Sequence, residues 1–140
     1  MNLPDIKKVR KEKGLTQEDV AKSLNVNRKT VTGWENEYNT IPLQRLIDFA
    51  NIYKTSLDYI YGLTTINNYK YLILDKKVVG KNLLKLRLKN KRSTNYISRK
   101  LKIKKRTYCD YENGKNLIRT IYITGLIQIY GTFSIDDLLK

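Results

Sequence analysis

The chain has 140 residues, of which 41% are hydrophobic, and a formal net charge of +15. This length suits one ordinary domain or two small ones, and the apolar fraction excludes wholesale disorder. The apolar runs are too short to cross a membrane, and the first cations are not followed by the apolar stretch of a secretory signal. With one cysteine and no histidine, neither a disulfide framework nor a zinc site is expected. The sequence therefore predicts a cytoplasmic protein without a cofactor or a structural metal.

The positive charge is concentrated in the second half of the chain. Residues 1–63 hold ten Lys/Arg and eight Asp/Glu, whereas residues 64–140 hold eighteen and five. Between Lys81 and Arg106 there are twelve cations and no acid. Such a field attracts polyanions, although a solvated lysine-rich surface has the same composition. The charge indicates nucleic acid without establishing it.

Residues 1–63 predict five short helices. Proline favours a first helical turn, short polar side chains cap free N–H groups, and glycine ends helices. The residues that mark helix ends in this way are Pro4, Gly14, Thr16 with Asp19, Asn27, Pro42, Ser56 and Gly62. Helical spacing directs Val20, Leu24, Val31 and Trp34 inward, so these four are expected in the core.

An internal repeat extends over most of the chain. A shift of 77 residues pairs Ile6 with Leu83 and continues without a gap to Tyr53 and Tyr130. Apolar positions stay apolar while the surface changes, which is typical of two copies of one fold. The second copy again predicts short helices, with Ser93 as a cap. Its segment TIYITGLIQIY is β-branched and strand-like by propensity, but the repeat predicts a helix there.

The segment between the copies, residues 64–77, has a different pattern. Asn67 and Asn68 indicate a turn, and the alternation after Tyr69 gives short extended character. The segment is too apolar for a free linker, so we expect it to fix the two copies relative to each other.

The stretch GLTQEDVAKSLNVNRKTVTGWEN, residues 14–36, resembles the helix-turn-helix of the Cro/CI-type phage repressor family. Residues 79–116 resemble a diverged member, mainly through Ser93, Ser98 and the sequence YENG. The resemblance implies an all-α fold of two tandem five-helix modules. The implied domains are a DNA-binding module at 1–63, a short linker with extended character at 64–77, and a diverged, strongly basic module at 78–140.

In this family the third helix enters the major groove and the second crosses the DNA backbone. The resemblance therefore implies that Gln17 binds a phosphate and supports the recognition helix, and that Arg28 reads a guanine with its two parallel donors. Two positions depart from the family: Gly33 stands where a longer side chain is usual, and Glu37 stands where a glycine is usual. The full set of implied DNA contacts is Gln17, Asn27, Arg28, Lys29, Thr30, Thr32, Asn36, Tyr38, Asn39 and Arg45.

The second copy is less typical, because Thr94 replaces Gln17 and Asp110, expected to face the groove, replaces Gly33. Its implied DNA contacts are Lys104, Lys105, Arg106, Thr107, Asn113 and Lys115. Apolar side chains replace polar ones at four positions expected on its surface, which indicates packing against a partner. These interface candidates are Leu84, Leu88, Ile121 and Tyr122.

Two functional classes remain open. Because no phosphate-binding loop, nucleophile–base arrangement or paired acids occur, an enzyme is not expected. The favoured function is a sequence-specific repressor of phage or mobile-element type that binds double-stranded DNA as a homodimer. The alternative is a helix-turn-helix protein that inhibits an acidic host protein, such as a toxin or a defence nuclease, and also regulates its own gene. RNA binding is a weaker third interpretation.

Overall fold

The computed structural model describes residues 3–131 and 133–140, and within these ranges it contains ten α-helices and no β-strand. The chain divides into two compact units, of which one ends at Tyr71 and the other spans Leu72–Lys140. No helix of the described residues is long and apolar enough to cross a membrane. The predicted all-helical class is confirmed.

Five helices build the first unit, and side-chain caps begin most of them. Thr16 and Asp19 form the predicted capping box, in which each side chain accepts the other's backbone N–H at 2.8–3.0 Å. Asn27 and Ser56 also cap helices as predicted. The helices are α1 Ile6–Glu12, α2 Gln17–Leu24, α3 Arg28–Glu35, α4 Leu43–Ile52 and α5 Leu57–Ile60.

The two prolines do not lie where the sequence predicted. Pro4 precedes α1, because the Asp5 carboxylate accepts the Lys8 N–H at 3.0 Å and thereby makes Asp5 the cap. Pro42 occupies the cap position of α4 and not its first turn. The helix α1 therefore begins later than expected, whereas α4 begins at Leu43, directly after the proline that was expected to open it.

The core of the first unit contains the predicted residues of α2 and α3, with one exception. Val20, Leu24 and Val31 are buried, but Trp34 is half-buried. Trp34 lies in the last turn of α3, next to the exposed residues 36–40, so that its indole is only partly covered. The prediction that Trp34 is a core residue is therefore wrong in part.

The second unit also contains five helices. The helices α7 and α8 begin and end 77 residues after α2 and α3. Ser93 caps α7 as predicted, and TIYITGLIQIY is helical, as the repeat predicted against its propensity. The helices are α6 Lys76–Lys89, α7 Thr94–Leu101, α8 Lys105–Glu112, α9 Thr120–Tyr130 and α10 Ile135–Leu139.

Close packing of α6 on the end of α8 depends on a glycine. A Cβ atom on Gly80 would lie 2.5 Å from the carbonyl oxygen of Glu112, so a larger residue would push the helices apart. Gly114, two residues after Glu112, has a φ of +72°, and a Cβ atom on it would lie 2.9 Å from the Cα atom of Lys77. The turn after α8 is thus packed against the first turn of α6.

Parts of the segment expected to be a linker belong to the neighbouring structure. The Asn67 side chain accepts the Ser56 N–H at 2.8 Å and donates to the Lys54 carbonyl at 3.0 Å. Tyr69 donates to the Asn51 side chain at 3.1 Å, and α6 already begins at Lys76. The first unit therefore includes residues beyond position 63, and the last two residues of the expected linker are helical.

Candidate nucleic-acid interface

The first turn of α3 presents two exposed cations, Arg28 and Lys29. The preceding residue, Asn27, accepts both the backbone N–H and the hydroxyl of Thr30 at 2.9 Å. This double contact makes Asn27 the cap of α3. Among the predicted contacts, Asn27, Arg28 and Lys29 are exposed, and Asn27 is tied to Thr30.

Gln17 connects α2 to α3 with both ends of its side-chain amide. Its oxygen accepts from the Thr32 hydroxyl at 2.7 Å, and its nitrogen donates to Glu35 at 3.1 Å. The Gln17 side chain thus contacts α3 at two residues, as expected of a side chain that supports this helix. Thr32 is half-buried in this contact, so its hydroxyl proton is used inside the protein.

Behind Gln17 lies a buried ion pair that the sequence analysis did not assign. Arg10 donates to the two oxygens of Glu35 at 2.7 and 2.9 Å and to the Leu15 carbonyl at 2.8 Å. The two side chains are only 11% and 1% exposed. This fork-to-fork geometry joins α1 to the last turn of α3. The recurrence of both residue types 77 positions later was the available signal.

The ion pair determines the protonation of both groups. Burial acts to raise the pKa of Glu35, but hydrogen bonds from Arg10 and Gln17 outweigh it and leave the pKa below the ordinary 4.5. The hydrogen bond to Glu35 raises the pKa of Arg10. At neutral pH the pair is therefore charged, and it joins α3 to α1.

The turn after α3 carries three of the predicted contacts. Asn36 and Asn39 are exposed, and Tyr38 is 81% exposed. Glu37 has a φ of +63°, a conformation that favours glycine. The turn therefore projects polar groups beside α3 at some conformational cost.

Gly33, where the family usually has a longer side chain, lies on a covered part of α3. It is buried, and a Cβ atom there would lie 2.8 Å from the side-chain nitrogen of Asn39. The exit turn folds back over this position, so the missing side chain accommodates Asn39. A base contact from position 33 is not part of this interface.

Arg45 is anchored within the first unit. Its guanidinium donates to the Leu24 carbonyl at 2.9 Å, at the end of α2. Since an arginine has five donors, the remaining N–H groups are still able to reach a phosphate.

The second unit repeats the ion pair almost unchanged. Arg87 donates to Glu112 at 2.7 and 3.1 Å and to the Arg92 carbonyl at 2.9 Å. The surroundings differ, because Thr94 and Cys109 occupy the positions of Gln17 and Thr32 and cannot form an amide bridge.

The buried Tyr108 and the half-buried Tyr130 accompany this second ion pair. Burial, with the neighbouring Glu112 carboxylate, raises the pKa of Tyr108. Burial also raises the pKa of Tyr130 to about 12. Both phenols therefore stay protonated and act as packing groups beside the Arg87–Glu112 pair.

The predicted contacts of α8 and its exit turn are mostly exposed. Lys104 lies at the cap position of α8 but provides no side-chain hydrogen bond to it. Thr107 and Asp110 are half-buried, so Asp110 projects into solvent less than expected. The exposed members of the predicted set are Lys104, Lys105, Arg106, Asn113 and Lys115.

Three of the four apolar interface candidates are exposed. Leu84, Leu88 and Ile121 are 37%, 59% and 45% exposed. Tyr122 is half-buried, with its ring 6.3 Å from Tyr111 and near Arg119, so it packs largely within its own unit. The expectation of a four-residue exposed surface is wrong for Tyr122.

The first unit matches a known family. The helix-turn-helix family matches residues 6–60, which contain α1 to α5. Residues 6–60 are a helix-turn-helix domain. Within this domain α2 and α3 form the helix-turn-helix pair. In the described part of the chain, no group of acids, cysteines or histidines is suited to hold a metal.

Two proteins of Bacillus subtilis are similar to this chain. The uncharacterised HTH-type transcriptional regulator YobD is 36% identical over 59 residues, which is 42% of this chain and 53% of that protein. The HTH-type transcriptional regulator ImmR is 24% identical over 82 residues, which is 59% of this chain and 65% of that protein. The matches thus cover between half and two thirds of these relatives. No solved structure matches the chain.

Proposed function

We propose that the chain is a sequence-specific, DNA-binding transcriptional regulator whose α3 enters the major groove. The observation that carries this proposal is the exposed pair Arg28 and Lys29 on a helix whose Glu35 is held from behind by Gln17 and Arg10. A rigid helix that presents donors at its first turn suits base edges in the major groove. The helix-turn-helix match of residues 6–60 and the names of both relatives support the same function.

Each candidate contact has a role within this proposal. Arg28 reads a guanine, and Lys29 binds either a base or a phosphate. Gln17, whose amide nitrogen retains a second N–H, binds the phosphate next to α2. The residues that border the DNA backbone on the other side are Asn36, Tyr38, Asn39 and Arg45, while Asn27, Thr30 and Thr32 position the first two turns of α3.

We further propose that residues 78–140 are a diverged helix-turn-helix module that contributes phosphate binding. The support is the 77-residue offset of α7 and α8 and the recurrence of the Arg–Glu pair with the same 2.7 Å contact. The surface of this module contains exposed cations where base-reading side chains are expected. Lys104, Lys105 and Arg106 give it a sequence-independent attraction to DNA.

Because the two recognition helices differ, one chain does not read a palindrome. We propose that two chains, related by a two-fold axis, place their first units on half-sites about one helical turn apart. Repression by a protein of phage or mobile-element type is the biological role that this arrangement and the Cro/CI-type resemblance favour.

A second candidate function is inhibition of an acidic protein, with DNA binding limited to regulation of the protein's own gene. The specific observation in its favour is the combination of exposed leucines with lysines on α6. Phosphate binding does not account for exposed leucines.

Titration of the full chain against duplex DNA from upstream of its own gene tests the main proposal. A duplex of the same composition in shuffled order is the matched control. We expect the native site to bind about 10³-fold or more tightly than the shuffled duplex at physiological salt. Equal binding of both duplexes would contradict sequence-specific recognition.

A further inference from the structure

One face of α6 carries lysines and leucines in a single row. Residues 77, 81, 84 and 88 are spaced by four, three and four, so they fall within a sector of about 60° and over about 16 Å of the helix. We name Lys77, Lys81, Leu84 and Leu88 the α6 stripe. All four side chains are exposed, and Leu88 is 59% exposed.

Most of the α6 stripe lies outside the face that builds the second unit. Val79 and Leu83 are buried where α6 packs against α8 and α10, while Gly80 and Lys77 contact the end of α8 and the turn after it. In α1 the positions of Leu84 and Leu88 are occupied by Lys7 and Lys11. The same scaffold therefore forms with lysines at both positions, and the fold does not require these leucines.

Neither DNA nor a second copy of the chain suits the α6 stripe. Contact with a phosphate would not stabilise a leucine side chain, because no apolar surface of the leucine would be buried against another apolar surface. In a symmetric contact between two α6 helices no lysine would meet an acid, because Lys76–Lys89 contains six cations and no acid, so the two helices would repel each other.

We propose that the α6 stripe binds an acidic, amphipathic helix of another protein. Two carboxylates of that helix pair with Lys77 and Lys81, and two apolar side chains cover Leu84 and Leu88. The lysines select the orientation of the partner, and the leucines supply most of the affinity. This inference does not rest on the proposed DNA binding.

The probe is a synthetic helical peptide with two glutamates and two leucines at the spacing of the α6 stripe. Two control peptides replace either the glutamates by glutamine or the leucines by alanine. Binding to the full chain is measured by fluorescence anisotropy at 0.15 M salt, a condition that weakens purely surface electrostatic attraction. We expect the first peptide to bind at least tenfold more tightly than either control.

The decisive variant is L84K/L88K, which gives α6 the residues of α1 and adds two positive charges. Non-specific attraction of an acidic peptide would become stronger in this variant. We expect instead a loss of roughly tenfold or more, because the apolar contact is removed. The matched control is I52K/I66K, which replaces residues of similar exposure, 45% and 64%, and should retain binding.

Three results would overturn the proposal. The first is peptide binding that is unchanged or stronger in L84K/L88K. The second is a change in the sedimentation of the free chain from dimer to monomer, which would identify a second copy as the occupant. The third is a loss of affinity for DNA or of the free energy of unfolding in the same variant, which would place the α6 stripe in a contact with DNA or within the chain. A failure to bind DNA in the wild type would leave the peptide result intact.

Discussion

The third helices of the two units, α3 and α8, are held in the same way but present different surfaces. An arginine of the preceding first helix binds a glutamate at the end of the third helix, with a shortest distance of 2.7 Å in both units. Only α3 is also bridged to its neighbour by a glutamine, and only α8 begins with the run Lys104 to Arg106. The ion pair therefore belongs to the scaffold that both units share, and the units differ on the outer faces of α3 and α8.

Removal of the arginine from the first ion pair has the largest expected effect. In R10M the Glu35 carboxylate stays buried without its partner, which costs about 3–5 kcal/mol of the free energy of unfolding. In R87M we expect a smaller loss, because Arg87 and Glu112 are 14% and 8% exposed and water screens the remaining charge more.

The measurement for both variants is urea unfolding followed by two signals. The single tryptophan, Trp34, reports the first unit, whereas circular dichroism reports all helices. R10M/E35L, which removes both charges, is the control and should recover part of the loss. An unchanged tryptophan midpoint in R10M would contradict the role of the pair.

Substitutions in the turns after α3 and α8 have the next largest expected effect on the free energy of unfolding. The residue of each turn can be exchanged for that of the other. Gly114 and Glu37 occupy corresponding positions, both with positive φ. In G114E a Cβ atom would lie 2.9 Å from the Cα atom of Lys77, so strain and overpacking should cost about 2–3 kcal/mol. Circular dichroism during thermal or urea unfolding measures this loss.

The reverse substitution, E37G, should stabilise the first unit by about 1 kcal/mol, because glycine adopts the left-handed conformation without strain. Tryptophan fluorescence during urea unfolding measures the gain. A loss of stability in E37G would mean that the Glu37 side chain has a stabilising contact.

A smaller effect, on DNA binding, is expected from R28A. Loss of a bidentate base contact should weaken the preferred site by about 1–3 kcal/mol and relax the preference at one base pair. The matched control is K105A at the corresponding position of α8, which should weaken all duplexes alike. If R28A also weakens specific and random duplexes equally, Arg28 contacts only phosphate.

The local structure was predictable because its causes lie within a few residues. Thr16 with Asp19, Asn27, Ser56 and Ser93 cap helices through contacts three residues away. The β-branched composition of residues 120–130 favours a strand, and only the repeat predicted a helix there. The helix forms because burial against the rest of its unit outweighs the local propensity.

The parts of the site that involve distant residues were not predictable in this way. Arg10 and Glu35 are 25 residues apart, and no local pattern indicates that they meet. That Asn39 covers Gly33 was not predictable, because the direction of the Asn39 side chain depends on the turn that Glu37 forms. Tyr122 was expected on the surface, but the neighbouring Tyr111 ring partly covers it.

We propose that the first unit reads sequence while the second supplies charge. The test is the salt dependence of DNA binding by the full chain and by K104Q/K105Q/R106Q, on the preferred duplex and on a random one. Each phosphate contact contributes about 0.9 to the slope of log affinity against log salt. We therefore predict that the triple variant flattens the slope by up to roughly three units on both duplexes, with the ratio between their affinities nearly unchanged. An unchanged slope would contradict the account, because the cations of α8 would then not lie on DNA.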